Sequence, residues 1–388
     1  MELYEYTELQ SRLGAIADFD DMTDDASLQA LVEYLRPFLR NVIGVTIGKG
    51  GEGKTTLATN LAYMLAEEQA LRNAQGKSAK PVLYIELDQN GDSRTDFGLH
   101  AKILKMVLDR SGDTEADVQA EVSALVREFD DHGKSLRDAI TNDGSLKVIK
   151  DLRPFLDATV SGKHCADIAA RISKLSDAHS LAAYLMLALL LAQISHLYRW
   201  IVLDFAPGDK SIQRTGLAAA THLVAPIHNT DNAALGGLAT ITRLIRSNRR
   251  LNPEVELAAI VFLGFRKVNG DATKELLNVR VKIETLLTQA KMDPDMVLDE
   301  YVRDARSIAT LCRNHGKPAR EFALAATGEL KDENGMLVPR PRDENGRYAD
   351  PEASVKLADD YSNLARGVIT RVRQRNTELR DNQLQGAS

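Results

Sequence analysis

The stretch GKGGEGKTT, residues 48–56, decides how the rest of the chain is read. Its spacing, G-x-x-x-x-G-K-T, runs from Gly48 to Thr55. An apolar run, VIGVTIG (42–48), leads into it, and a helix-forming run, KTTLATNLAYMLAEE (54–68), leads out. A buried strand, a glycine loop and a helix N-terminus together make an anion cradle, because backbone N–H groups and the helix dipole converge on one point. Gly50, Gly51 and Gly53 let the backbone wrap a phosphate chain without Cβ clashes. In such a loop, Gly48 through Thr56, Glu52 included, contacts a nucleoside triphosphate. Lys54 neutralises the β- and γ-phosphates, Thr55 offers its hydroxyl to Mg²⁺, and Thr56 reaches the α-phosphate. A second lysine, Lys49, follows the first glycine at once. By position alone it is either a solvated surface charge or a further phosphate ligand.

Working outward, four more apolar runs read as strands: PVLYIELD (81–88), RWIVLDFAPG (199–208), HLVAPI (222–227) and LAAIVFLGF (257–265). Helical sequence separates them. Continuous apolar strands alternating with helices predict an α/β fold, a doubly wound, mostly parallel sheet flanked by helices. Two of these strands end in carboxylates. Asp204 closes WIVLDF, where an aspartate completes a Mg²⁺ site with Thr55. Asp88 closes LYIELD, where a carboxylate can orient the attacking water. Glu86 lies two residues back on the same side of its strand and competes for that role.

Composition sets limits. Apolar residues make up 44% and charged residues 27%, an ordinary globular balance. A net charge of −6 confines any nucleic-acid contact to a local basic patch. Cys165 and Cys312 have no metal-ligand spacing and read as reduced thiols of a cytoplasmic protein. MELYEYTELQ carries no apolar core of a signal peptide. The apolar run LAAYLMLALLLAQI (181–194) falls short of the roughly 18–20 residues needed to span a bilayer and reads as a buried helix.

The chain divides into a short N-terminal helical extension (1–40), an α/β domain with the triphosphate loop (41–372) and a polar tail (373–388). In the extension, Leu28, Leu31, Val32, Leu35 and Leu39 form a helical stripe, with Ser27 as its cap. A helical insertion is expected at about 98–145. The segment 329–352, with DENG twice, reads as a loop or β-hairpin.

KGGEGKTTLATNLAYMLA resembles the deviant Walker A motif, KGGxGKT, of the ParA/MinD family of P-loop ATPases. Other segments follow the same family in order: VLYIELDQNGDSRTDFG, YRWIVLDFAPGDKSIQRTGLAAATHLVAPI, ALGGLATI, VRDARSIATLCRNHGKPAREF and ADDYSNLARGVI. The likeness is greatest to ParA-type DNA partition ATPases. It implies ATP and Mg²⁺ as cofactors, a homodimer in the ATP state, non-specific DNA and a ParB-like centromere-binding protein as partners, and a cytoplasmic, nucleoid-associated protein. Carried over by position, Lys49 is the signature lysine that crosses the dimer interface to the other subunit's phosphates, and Lys54 and Asp88 serve hydrolysis. Arg266 and Arg303 stand where the family has arginines that contribute to DNA binding; the other role open to each is a surface salt bridge. Glu86, Gln89, Asn90, Arg94, Phe205 and Ala206 depart from the family pattern, all around the hydrolytic centre.

Two other readings remain. A MinD-like membrane-positioning ATPase needs an apolar amphipathic C-terminal helix, and this tail ends in TELRDNQLQGAS, so no stable membrane association is expected. ParA-like positioning of a protein cargo keeps the same site. An iron-protein-like electron-transfer ATPase is set aside because the two cysteines fall away from the strand ends that would bridge a cluster.

Overall fold

The computed structural model describes residues 25–46, 53–99, 115–140, 146–205, 209–228, 231–268, 271–332 and 334–386. Eight strands form one sheet in the order β10-β7-β6-β1-β5-β2-β4-β3. The strands are β1 (Val42–Val45), β2 (Val82–Leu87), β3 (Ile149–Arg153), β4 (Leu156–Val160), β5 (Trp200–Phe205), β6 (His222–His228), β7 (Glu256–Phe265) and β10 (Val297–Arg303). A two-stranded ribbon, β8 (Lys267–Val268) with β9 (Asp271–Ala272), stands apart. All neighbours in the main sheet run parallel except β3, which is antiparallel to β4. The four central strands β6, β1, β5 and β2 are buried on both faces for nearly their whole length, which is why they read as unbroken apolar runs. The doubly wound α/β expectation holds.

Two apolar cores lie on opposite faces of the sheet. On one face, α2 (Lys54–Ala74), α10 (Arg306–Asn314), α11 (Ala319–Thr327) and α12 (Pro351–Gly386) contribute to the core. On the other lie α1 (Asp25–Leu35), α5 (His164–His179), α6 (Met186–Ile194), α7 (Lys210–Ala219), α8 (Asp231–Asn248) and α9 (Lys274–Gln289). α4 (Glu115–Ile140) places Leu136 and Ile140 in the second core and Phe129 in the first.

The described part of the N-terminal extension, residues 25–40, packs into the core. Leu28, Leu31, Val32, Leu35 and Leu39 are all buried, each contributing about 1.5–3 kcal/mol. Arg36 anchors the end of the helix by donating from both terminal nitrogens to the Ala218 carbonyl, at 3.0 and 3.1 Å. Ser27 is not the cap, because the helix begins at Asp25 and encloses it. The insertion is helical in α4, but it returns to the sheet as β3 and β4, which the sequence reading did not separate. The polar tail is also corrected. α12 runs unbroken to Gly386, with Val372 and Leu379 buried and Arg373 and Arg375 paired to Glu68 and Glu256 at 2.6 and 2.7 Å. The segment 329–352 does form turns closed by antiparallel bridges, Lys331 with Leu337 and Arg342 with Tyr348.

Candidate nucleotide site

β1 delivers the chain to the glycine loop at the carboxyl end of the sheet, where α/β folds bind ligands. Gly48, Lys49, Gly50, Gly51 and Glu52 lie outside the described residues, as does Ala206. The described part begins at Gly53, whose φ of 73° no residue with a Cβ adopts cheaply. That left-handed turn starts α2 at Lys54. Lys54 is buried, 6% exposed, at this end of the sheet.

Asp204 comes to the same point from the neighbouring strand, paired in register with Val45 of β1 and Glu86 of β2. Its carboxylate accepts hydrogen bonds from the Thr55 side chain and, at 3.1 Å, from Tyr84 Oη. Burial, with a smaller push from Asp88, outweighs the Thr55 and Tyr84 hydrogen bonds and the Lys54 charge, and its carboxyl is raised to about 6. A buried carboxylate held against a P-loop threonine hydroxyl is an incomplete oxygen-ligand set of the kind Mg²⁺ takes, one or two protein oxygens with phosphates and water completing the shell. The residues present therefore fit Mg²⁺ and a triphosphate.

Asp88 follows β2 directly. Its Oδ1 accepts from the Asn90 backbone N–H at 2.9 Å and its carbonyl from Gly91 N–H at 3.3 Å, so it sits in a tight turn. That turn leads into a short helix, α3 (Asp92–Asp96). Glu86 is fully buried, and its Oε1 accepts from Ser93 N–H at 3.0 Å. Its Oε2 has no partner among the described residues. Burial pushes Glu86 up to about 8, so it is largely protonated at neutral pH and is a poor base there. Of the two carboxylates left open by the sequence, Glu86 is thus the one less suited to that role.

A scan of protein families matches residues 40–257 to a family described as an AAA domain. The chain belongs to this family, the ParA/MinD-type P-loop ATPases. No curated protein sequence matches it. Among solved structures it is similar to apo McdA of Cyanothece, 12% identical with a TM-score of 0.53, covering 83% of this chain and 98% of that one. It is likewise similar to the ATP complex of a Cyanothece McdA variant, 13% identical with a TM-score of 0.51, covering 73% and 90%. A plasmid partition protein of Borrelia burgdorferi bound to AMPPNP matches at 16% identity, with a TM-score of 0.48 and coverage of 71% and 90%. At these identities the likeness shows the fold.

In this ParA/MinD-type domain, the segment after β2, which departs from the family pattern, has its own anchoring. Thr59 Oγ1 on α2 donates to Asp96 Oδ2 at 3.2 Å, and Thr56 also hydrogen-bonds Asp96. Arg313 on α10 pairs with Asp92 at 2.5 Å and approaches Asp96 at 3.6 Å. Thr56 thus has a structural partner besides the phosphate expected for it. Neither Asp96 nor Arg313 was found from the sequence, because no local pattern links positions so far apart. Arg94 lies against Gly162, with its Nε and Nη2 buried and without a hydrogen-bond partner among the described residues, and its charge acts to lower the Glu86 carboxyl, less strongly than burial raises it.

The two arginines expected at DNA part ways. Arg266 is exposed just past β7. Arg303 instead makes a bidentate pair with the buried Asp360 of α12, Nε to Oδ2 at 2.6 Å and Nη2 to Oδ1 at 2.9 Å. Cys165 and Cys312 are both buried and free.

The Glu86 assignment predicts a pH signature. Its carboxyl is raised in the folded state, so its stabilising contribution is complete below about pH 4.5 and is lost as pH rises through about 8. Glutamine mimics the protonated form at every pH. Glu86→Gln should therefore leave stability unchanged near the lower end of that window and raise it above the upper end, by at most about 5 kcal/mol. Thermal melts across the window read the difference, and equal melting shifts at both ends would refute the assignment.

Proposed function

We propose that the protein is a ParA-type partition or positioning ATPase. Its reading rests on one observation: Thr55 of the P-loop helix and Asp204 of the adjacent strand meet by a side-chain hydrogen bond, with Lys54 beside them and Asp88 at the next strand end. Mg²⁺ bound there would bridge protein oxygens and phosphates and neutralise charge in phosphoryl transfer. Gly53 and the start of α2 cradle the phosphates, and Lys54 supplies the cation. Asp88, held by the Asn90 and Gly91 amides, orients the attacking water. Hydrolysis is slow until a ParB-like partner engages.

In this reading Lys49 reaches across to the phosphates of a second copy, so the ATP-bound form is a sandwich dimer. Two facing triphosphates repel, and a cation crossing from each side offsets that repulsion. Nucleotide state then sets the dimer, and the dimer holds non-specific DNA through phosphate contacts that weaken with salt. Arg266, being exposed, is the favoured contact of the two arginines. The membrane-positioning alternative is disfavoured by α12, whose apolar side is packed on the sheet and α2. No described helix is long and apolar enough to cross a membrane.

Light scattering with ATP and Mg²⁺, alongside retardation of duplex DNA, tests the proposal. The wild-type chain should dimerise and retard DNA, Lys49→Ala should do neither, and Arg266→Ala should dimerise but bind DNA several-fold more weakly. Normal ATP-dependent dimerisation of the Lys49→Ala protein would remove the trans-lysine role.

A further inference from the structure

The P-loop lies at the carboxyl ends of the parallel strands. At their opposite ends is a second concentration of positive charge that this chemistry does not use. A cavity of about 370 Å³ opens where Asn41 leads into β1, Lys80 approaches β2 and Trp200 begins β5. Its wall includes Arg40, Lys80, Arg199, Arg373 and Arg380, and no Asp or Glu. A cavity of about 280 Å³ adjoins it, sharing Asn41, Lys80 and Arg199 and adding Arg72 and Gln69.

The charges are only partly compensated. Arg40 pairs with Glu254 at 2.7 Å and Arg373 with Glu68 at 2.6 Å. Lys80 Nζ donates to the His196 carbonyl at 2.7 Å, and Arg72 donates to the Ser78 carbonyl at 3.1 and 3.2 Å. Neither carbonyl carries a full charge. Arg199 stacks over the Trp200 ring at 5.2 Å, and neither it nor Arg380 has a carboxylate partner among the described residues. Burial and the neighbouring Arg373, Arg72 and Arg380 charges push the Arg199 guanidinium below its ordinary value, and the opposing influence of Glu68 does not offset them.

A second observation points the same way. Trp200 is 3% exposed and Gln69 is 1% exposed. Trp200 Nε1 and Gln69 Nε2 have no hydrogen-bond acceptor among the described residues. Buried donors left unpaired cost about 1–3 kcal/mol each, and they line the two cavities whose walls already bring together donors and cations.

We infer that this cavity is a second anion site, which binds a small multivalent phosphate such as a pyrophosphate group. Guanidinium groups match phosphate oxygens with paired N–H donors. A half-open cavity of a few hundred Å³ with Trp200 in its wall is on the scale of a compact ligand, whereas a nucleic-acid backbone runs along an extended surface.

Inorganic pyrophosphate is the probe, titrated calorimetrically into the full chain carrying Lys54→Ala, which weakens P-loop binding about 10-fold or more. One pyrophosphate should bind per chain. Adding Arg199→Ala and Arg380→Ala should weaken it at least 10-fold, whereas Arg199→Lys with Arg380→Lys should keep it within a few-fold. Should the Lys54 variant be unstable, the wild-type chain saturated with a non-hydrolysable ATP analogue and Mg²⁺ serves instead. Both arginine substitutions are at exposed positions, and ATP turnover in the otherwise wild-type chain should be unchanged by them. Absence of pyrophosphate binding in the P-loop-blocked chain would overturn the inference. So would binding that survives loss of both arginines, or that sulfate at matched ionic strength displaces equally well. Loss of duplex DNA binding with pyrophosphate binding intact would make this surface a nucleic-acid contact instead and also overturn it.

Discussion

The Lys54→Ala protein should bind ATP about 10- to 100-fold more weakly than wild type and turn it over about 10²–10³-fold more slowly. The ammonium is buried at the helix N-terminus, so its charge is little screened there and its hydrogen bonds to phosphate would be charge-assisted. It also acts on its neighbour. Lys54 is among the influences holding the Asp204 carboxyl down against burial, so its removal should drive that carboxyl higher and weaken Mg²⁺ dependence as well as phosphate binding. Lys54→Arg should not rescue, because the longer planar fork does not fit a space shaped for an ammonium. Fluorescent-nucleotide titration and phosphate-release assays read both effects. Unchanged affinity and turnover in Lys54→Ala would mean that the nucleotide lies elsewhere.

Arg303→Ala should chiefly lower stability. Asp360 is 4% exposed, and Arg303 gives it two side-chain hydrogen bonds as well as one from the Arg303 backbone N–H at 2.9 Å. Removing the guanidinium takes both side-chain hydrogen bonds and the paired charge from a buried carboxylate, a change worth up to about 3–5 kcal/mol. The pair ties β10 to α12, so the melting temperature should fall by several degrees. Arg303→Ala with Asp360→Asn should recover part of the loss, because the stranded charge is gone. At a temperature where the single variant is folded, its DNA affinity should stay within about two-fold of wild type, one surface contact's worth or less. A ten-fold loss of DNA binding with unchanged melting would instead assign Arg303 to the DNA surface.

The contrast between these two lysine and arginine positions marks what sequence alone could reveal. Lys54 sits in a contiguous motif whose geometry is local: strand, turn and helix succeed one another along the chain, and β1, β2, β5, β6 and β7 are unbroken apolar runs because both their faces are covered. Those elements were legible. β3 was not, since an edge strand carrying Lys150, Asp151 and Arg153 lacks that signature. β10 was hidden in the same way by Asp299 and Glu300. The end of α12 read as a polar tail because only widely spaced residues, Val372 and Leu379, face the core there. The Arg303–Asp360 pair, the Thr59–Asp96–Arg313 anchor and the donor-lined basic cavity arise from residues distant in sequence, and no periodicity encodes them.

The contact between Arg94 and Gly162 has a mechanical consequence. A Cβ at Gly162 would collide with the Arg94 guanidinium, and a Cβ at Gly133 of α4 would come within 2.8 Å of the Ser161 carbonyl on the other side of the same loop. The short switch helix, the loop after β4 and the inserted helix are therefore stacked with no slack between them. Any side chain larger than a hydrogen at Gly133 or Gly162 therefore has to push one layer of this stack away from the next.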